Sequence, residues 1–122
     1  MNKNKGKASE QKLLFRTLTN ELLDPQGRDL AEKVKWIHLT GISQNETELF
    51  PTAITGEGPP VLMLHGFDSS FLEFRRLVPH LINSHKLIIP DLLGFGFCPR
   101  KNNLSYEPKT IISHLNSVIN EV

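Results

Sequence analysis

Gly58-Pro59-Pro60-Val61-Leu62-Met63-Leu64-His65-Gly66-Phe67-Asp68-Ser69-Ser70 is the stretch that decides the fold, together with Leu87-Ile88-Ile89-Pro90-Asp91-Leu92-Leu93-Gly94-Phe95-Gly96. Each holds a short continuous apolar run closed by a polar residue, His65 before Gly66 in the first and Asp91 three residues before Gly94 in the second. Apolarity without alternation predicts strands buried on both faces, as in a parallel sheet covered by helices. Between the runs, Ser70-Phe71-Leu72-Glu73 fits a capping box. Phe71, Phe74, Leu77, Val78, Leu81 and Ile82 follow at helical spacing, and Asn83-Ser84 closes the helix. Strand, helix and strand of this length predict a right-handed crossover between two parallel strands.

Upstream, Gly56-Glu57-Gly58-Pro59-Pro60 is a tight turn. Before it, residues 35–42 and 48–55 read as two extended stretches around Ser43-Gln44-Asn45-Glu46, giving an antiparallel hairpin. Pro51 is expected on an edge or at a bulge, because it cannot donate to a ladder. Leu14, Leu18 and Leu22, with Phe15 and Leu23 beside them, predict an amphipathic helix over residues 10–23. Asp24-Pro25 is expected to end it, with a short helical piece at Asp29–Val34. Residues 1–9, with Lys3, Lys5 and Lys7, are expected to be a frayed, solvated tail. Downstream, residues 92–105 read as a loop, and Glu107-Pro108 opens a last helix. Ile111, Leu115, Val118 and Val122 share one face of it. The expected organisation is a tail and helix over residues 1–34 and an α/β domain over 35–122.

The two motifs resemble the first signatures of the α/β-hydrolase family: a strand ending in His65-Gly66, then a strand ending in Asp91 followed by a Gly-x-Gly turn. The resemblance spans roughly residues 46–122. It implies an α/β fold comprising the N-terminal half of a hydrolase sheet. That half is an antiparallel hairpin followed by a parallel strand–helix–strand–helix unit in three α/β/α layers. It also implies that the backbone N–H of Phe67 is one donor of an oxyanion hole, where fixed donors stabilise charge developing on a carbonyl oxygen. Gly66 and His65 would support that loop, Gly66 by permitting close approach that a Cβ would block. Asp68, expected at a helix N-terminus, is a further candidate for orienting substrate.

In this family the nucleophile sits on a G-x-S-x-G-like elbow, with an acid and a His after it. No Ser in the sequence stands between two such glycines. His65 precedes any elbow, so it is not the general base. The expectation is therefore an inactive N-terminal fragment of a serine-type hydrolase acting on an ester or similar bond, lacking nucleophile, acid and catalytic His.

The chain has 122 residues, a hydrophobic share of 39% and a net charge of +1. This balance excludes wholesale disorder and gives no reason to expect nucleic acid as a partner. The lone Cys98 excludes an intrachain disulfide and a multi-cysteine zinc site. No run approaches the roughly 18 apolar residues of a membrane span, and no signal-type h-region follows the basic N-terminus, so the expected address is cytoplasmic. His38, His80 and His85 read as surface residues, His114 as half-buried, Asp91 as a strand-end support for the next turn, and Cys98 as an unreactive loop residue. No metal and no cofactor are expected. Two other readings are a nucleotide-binding α/β half-domain, suggested by Gly94-Phe95-Gly96 but opposed by Pro99, and a non-catalytic interaction module. An open strand edge at 61–65 and an open helix face of Ile111, Leu115 and Val118 would favour self-association.

Overall fold

The computed structural model describes the backbone of residues 3–39, 49–100 and 106–122, with side chains from residue 8 onward. Its helices are α1 (Lys3–Asn20), α2 (Pro25–Ala31), α3 (Val78–Leu81) and α4 (Pro108–Glu121), with a 3-10 turn at Phe71–Phe74. Its strands are β1 (Val34–His38), β2 (Leu49–Thr55), β3 (Pro60–Leu62) and β4 (Lys86–Pro90), in the order β1-β2-β4-β3. The hairpin β1–β2 is antiparallel, with Trp36 opposite Pro51, and β3–β4 is parallel, with Val61 opposite Leu87. An antiparallel β2–β4 pairing joins the two units. The turn expected at Ser43–Glu46 and the loop residues 101–105 lie outside the described residues.

Strand alternation sorts the core into two layers. Ala53, Met63, Leu87 and Ile89 face Phe15, Leu30, Phe71 and Val78 from α1, α2, the 3-10 turn and α3. Phe50 and Ile88 face Leu93, Cys98 and Val118 on the other side, under α4. The sheet is therefore mixed, with helices on both faces, in the expected α/β/α arrangement.

Several local expectations fail, each for a physical reason. The helix expected over 71–82 breaks into a 3-10 turn and the four-residue α3. Pro79 lacks an N–H and its ring clashes with the carbonyl four residues earlier, so a continuous helix cannot run through it. Pro51 lies in β2, between β1 and β4, not at an edge. Its carbonyl accepts from Asp91 N–H just past the end of β4, so its missing donor falls beyond the β2–β4 ladder. The run at 61–65 is not buried on both faces. β3 is the edge strand of the described sheet, with Leu62 37% and Leu64 45% exposed, whereas β4 is covered on both sides.

At the N-terminus, α1 begins at Lys3, within the segment expected to fray, and Asp24-Pro25 starts α2 rather than merely ending α1. The Asp24 carboxylate caps α2 by accepting from Gln26 N–H. The buried face of α1 is Phe15 and Thr19, and Leu14 and Leu18 are exposed. Phe15 packs edge-on against Trp36 and Phe97 at 5.5 and 4.8 Å, and the Gln11 amide bonds both backbone groups of Leu49. These contacts rotate the helix away from its leucine stripe. On α4, Val118 is fully buried against the sheet while Ile111 and Leu115 are half-buried, so the helix face expected to lie open is covered in part. Ile112 and Ile119 are exposed instead.

His114 is buried completely, beyond the half-burial expected, beside the Phe50 ring at 5.6 Å. Its Nδ1 has no partner among the described residues. Burial lowers its pKa from 6.5 to about 4. The unfolded chain thus binds a proton more readily than the folded one, so stability present above pH 6.5 is lost as pH falls towards 4. We expect a loss of up to about 3 kcal/mol across that window. Urea denaturation at a series of pH values checks it, and His114→Leu should flatten that part of the profile.

Candidate active site

The site is built where β3 and β4 run out. Asp91 is fully buried at the end of β4. Its Oδ1 accepts from Phe71 N–H and its Oδ2 from Phe97 N–H, each at 2.7 Å. One carboxylate thereby ties the 3-10 turn after the first motif to the glycine turn of the second. Burial pushes this carboxyl above its ordinary range, while the two amide donors pull it back. Gly94 and Gly96 have φ of +89° and +57°, which favours glycine at both. A Cβ at Gly96 would overlap the Asp91 carboxylate. The second glycine of the turn is thus filled by an acid, the opposite of a phosphate cradle.

His65 is buried at the end of the β3 run. Leu92 N–H, which can only donate, bonds His65 Nε2 at 2.9 Å. Nε2 is therefore an acceptor, the proton sits on Nδ1, and Nδ1 donates to the Gly66 carbonyl at 2.8 Å. The neutral ring staples the first loop to the second.

Gly66 N–H donates to Glu73 Oε2 at 3.3 Å. Glu73 does not close a capping box. Ser70 caps the turn alone, its Oγ accepting from Leu72 N–H at 3.2 Å. Gly66 has no left-handed φ, and a Cβ there would meet only Glu73 Oε1 at 3.7 Å. Nothing among the described residues demands glycine here. Phe67 is 91% exposed, its ring edge-on to Phe95 at 5.3 Å. Its N–H meets no acceptor among the described residues. Asp68 is exposed with a φ of 56°, a turn residue and not the helix-terminal carboxylate expected.

Phe67, Leu93, Phe95, Arg100, Tyr106 and Ile111 line a cleft of about 490 Å³. Of these only Phe67 was marked in the sequence as a site residue, and Ile111 only as part of the last helix's apolar face. Phe95 lay inside the quoted Gly-x-Gly turn, and Tyr106 and Arg100 carried no motif signal. Farther off, Arg75 and Arg76 bond Asp24 Oδ2 at 2.6 and 3.0 Å, which links α2 to the segment after the 3-10 turn. The Arg75 guanidinium holds the Asp24 carboxyl below the usual carboxylate range. His38 and His80 are exposed, His85 Nδ1 meets Ser84 Oγ at 2.8 Å, and Cys98 is buried. Among the described residues no three His, Cys, Asp or Glu gather as a metal site, and no helix is long and apolar enough to cross a membrane.

No family model matches the chain. It is similar to 2-hydroxy-6-oxo-2,4-heptadienoate hydrolase of Pseudomonas putida, 30% identical over 67 residues, covering 52% of this chain and 24% of that protein. The soluble epoxide hydrolase of a Corynebacterium is 32% identical over 66 residues, covering 49% and 23%. The crystal structure of a meta-cleavage product hydrolase from Pseudomonas fluorescens superposes with a TM-score of 0.62 at 29% identity, over 71% of this chain and 31% of that one. The fold is that of part of an α/β hydrolase. The chain spans about a quarter of the length of these two curated relatives.

Within this hydrolase fold the two loop glycines have different jobs, and substitution should separate them. Gly96→Ala meets both a positive φ and the Asp91 carboxylate, so a loss of about 2 kcal/mol or more is expected. Gly66→Ala should stay within about 1 kcal/mol. Chemical denaturation of both variants checks the contrast.

Proposed function

We propose that this chain carries the oxyanion-hole loop of a serine-type α/β hydrolase acting on a small molecule through an ester or similar bond. The observation that carries the reading is the Phe67 N–H, which meets no acceptor among the described residues, on a residue that lines the 490 Å³ cleft and in a loop held by His65 and Asp91. A donor fixed before the substrate arrives needs no reorganisation when charge develops on the carbonyl oxygen, which is what makes such a group effective. Gly66 and His65 act as supports: Gly66 clears the approach, and His65 fixes the carbonyl next to the donor. Asp68, at a φ of 56° in the turn that follows Phe67, is the further candidate for orienting substrate. The small-molecule reading draws on the names of the relatives, a heptadienoate hydrolase and an epoxide hydrolase. The nucleophile, the acid and the catalytic His lie outside these 122 residues, and the chain's address is cytoplasmic.

Two measurements test this. The 122-residue chain should not hydrolyse p-nitrophenyl acetate, and turnover abolished by a serine-directed inhibitor would show that the nucleophile is present after all. Acetophenone titrated into ¹⁵N-labelled chain should shift the Phe67 amide more than any other. A response confined to residues away from the cleft would remove Phe67 from the role.

A second reading rests on β3, the edge strand among the described residues, where Leu62 and Leu64 are exposed. Such an edge pairs with another chain. Sedimentation at rising concentration should show self-association, and a single monomeric species throughout would count against it.

A further inference from the structure

We infer that Arg100 makes the cleft selective for acyl compounds that carry an anionic group, a carboxylate above all, remote from the reacting carbonyl. The inference rests on the reading of Phe67 as the oxyanion donor and adds the substrate's charge to it. The lining is otherwise Phe67, Leu93, Phe95, Tyr106 and Ile111 around the Gly94 turn, which is apolar and aromatic. Among the described residues Arg100 is the one cation that lines it, and none of them that lines it is an acid.

Three features keep that charge available. Arg100 makes no ion pair among the described residues, whose ion pairs join Arg75 and Arg76 to Asp24. Asp91, the acid whose carboxyl feels the Arg100 charge, is buried with both oxygens already accepting backbone N–H groups. Arg100 is also tethered: its Nη2 donates to the Gly96 carbonyl at 3.1 Å, so the head is positioned while the rest of the planar fork stays open. A guanidinium so placed matches a carboxylate bidentately, and the aromatic wall beside it excludes water from the stem of the ligand. The cleft thus offers two kinds of group, a neutral amide donor for the carbonyl oxygen and a cation for a carboxylate.

The probes are 4-acetylbenzoate and 4-acetylbenzamide, which share a ketone and a ring and differ in charge at the opposite end. Binding to the 122-residue chain is measured by calorimetry, with the Phe67 amide followed by NMR. The benzoate should bind about tenfold more tightly at low salt, and the advantage should shrink as salt is added. Arg100→Gln should bring the two probes to within about twofold, whereas Arg100→Lys keeps part of the preference. Equal affinities in the native chain, or a preference that survives in Arg100→Gln, overturn the inference. If both probes shift the Phe67 amide without discrimination, the oxyanion reading stands and the charge selection falls. If neither binds, both fall.

Discussion

The carboxylate of Asp91 is the constraint on which the rest of the site depends. It sits in the core at the end of β4 and takes one amide proton from each loop. The bond to Phe71 fixes where the chain turns after the first motif, and the bond to Phe97 fixes the glycine turn of the second. Removing the carboxylate would orphan both donors, at about 1–3 kcal/mol for each one left unsatisfied. It would also let the two loops move independently. Burying a carboxyl is costly, and the raised pKa registers that cost. The sequence around it conforms: Gly96 is glycine because any Cβ would stand where the carboxylate does.

His65 adds a second tie, and its direction follows from which atom can only donate. Leu92 N–H dictates the tautomer, and the tautomer dictates the orientation of the Gly66 carbonyl. Peptide geometry then sets the N–H of Phe67, which shares the Gly66 carbonyl's peptide plane. The position of one exposed amide is thus determined from inside the core. Glu73 meanwhile occupies the neighbouring Gly66 N–H, so the two consecutive amides of the loop are unequal, one engaged and one available.

The sheet was legible because its signals are short-range and redundant. Continuous apolarity marked β4, alternation marked the hairpin, and one helix-length interval set the parallel pairing. What escaped were features decided by a few tertiary contacts. The leucines of α1 gave a clean stripe, yet Phe15 found Trp36 and Phe97, and Gln11 found the Leu49 backbone, so another face went inward. Pro79 was a local signal outweighed by the hydrophobic period, and its missing donor broke the helix. In the site, Phe67, Gly66 and His65 were marked by a motif. Arg100 and Tyr106 were not, because a cleft is a meeting of segments distant in the chain and leaves no period in either.

The shortest strand, β3, has three residues and a neighbour on one side only within the described sheet. The Phe67 loop hangs from its end. Local opening free energies in a protein range from almost nothing at frayed edges to the full value in the core. The Phe67 N–H is thus set by ties from the core but carried beside the strand with the fewest bonds to lose. Any polypeptide that pairs along β3 suppresses that opening and narrows the spread of Phe67 orientations without touching Phe67. Such a partner would act on the site through order alone, and slowed amide exchange in the loop would be its signature.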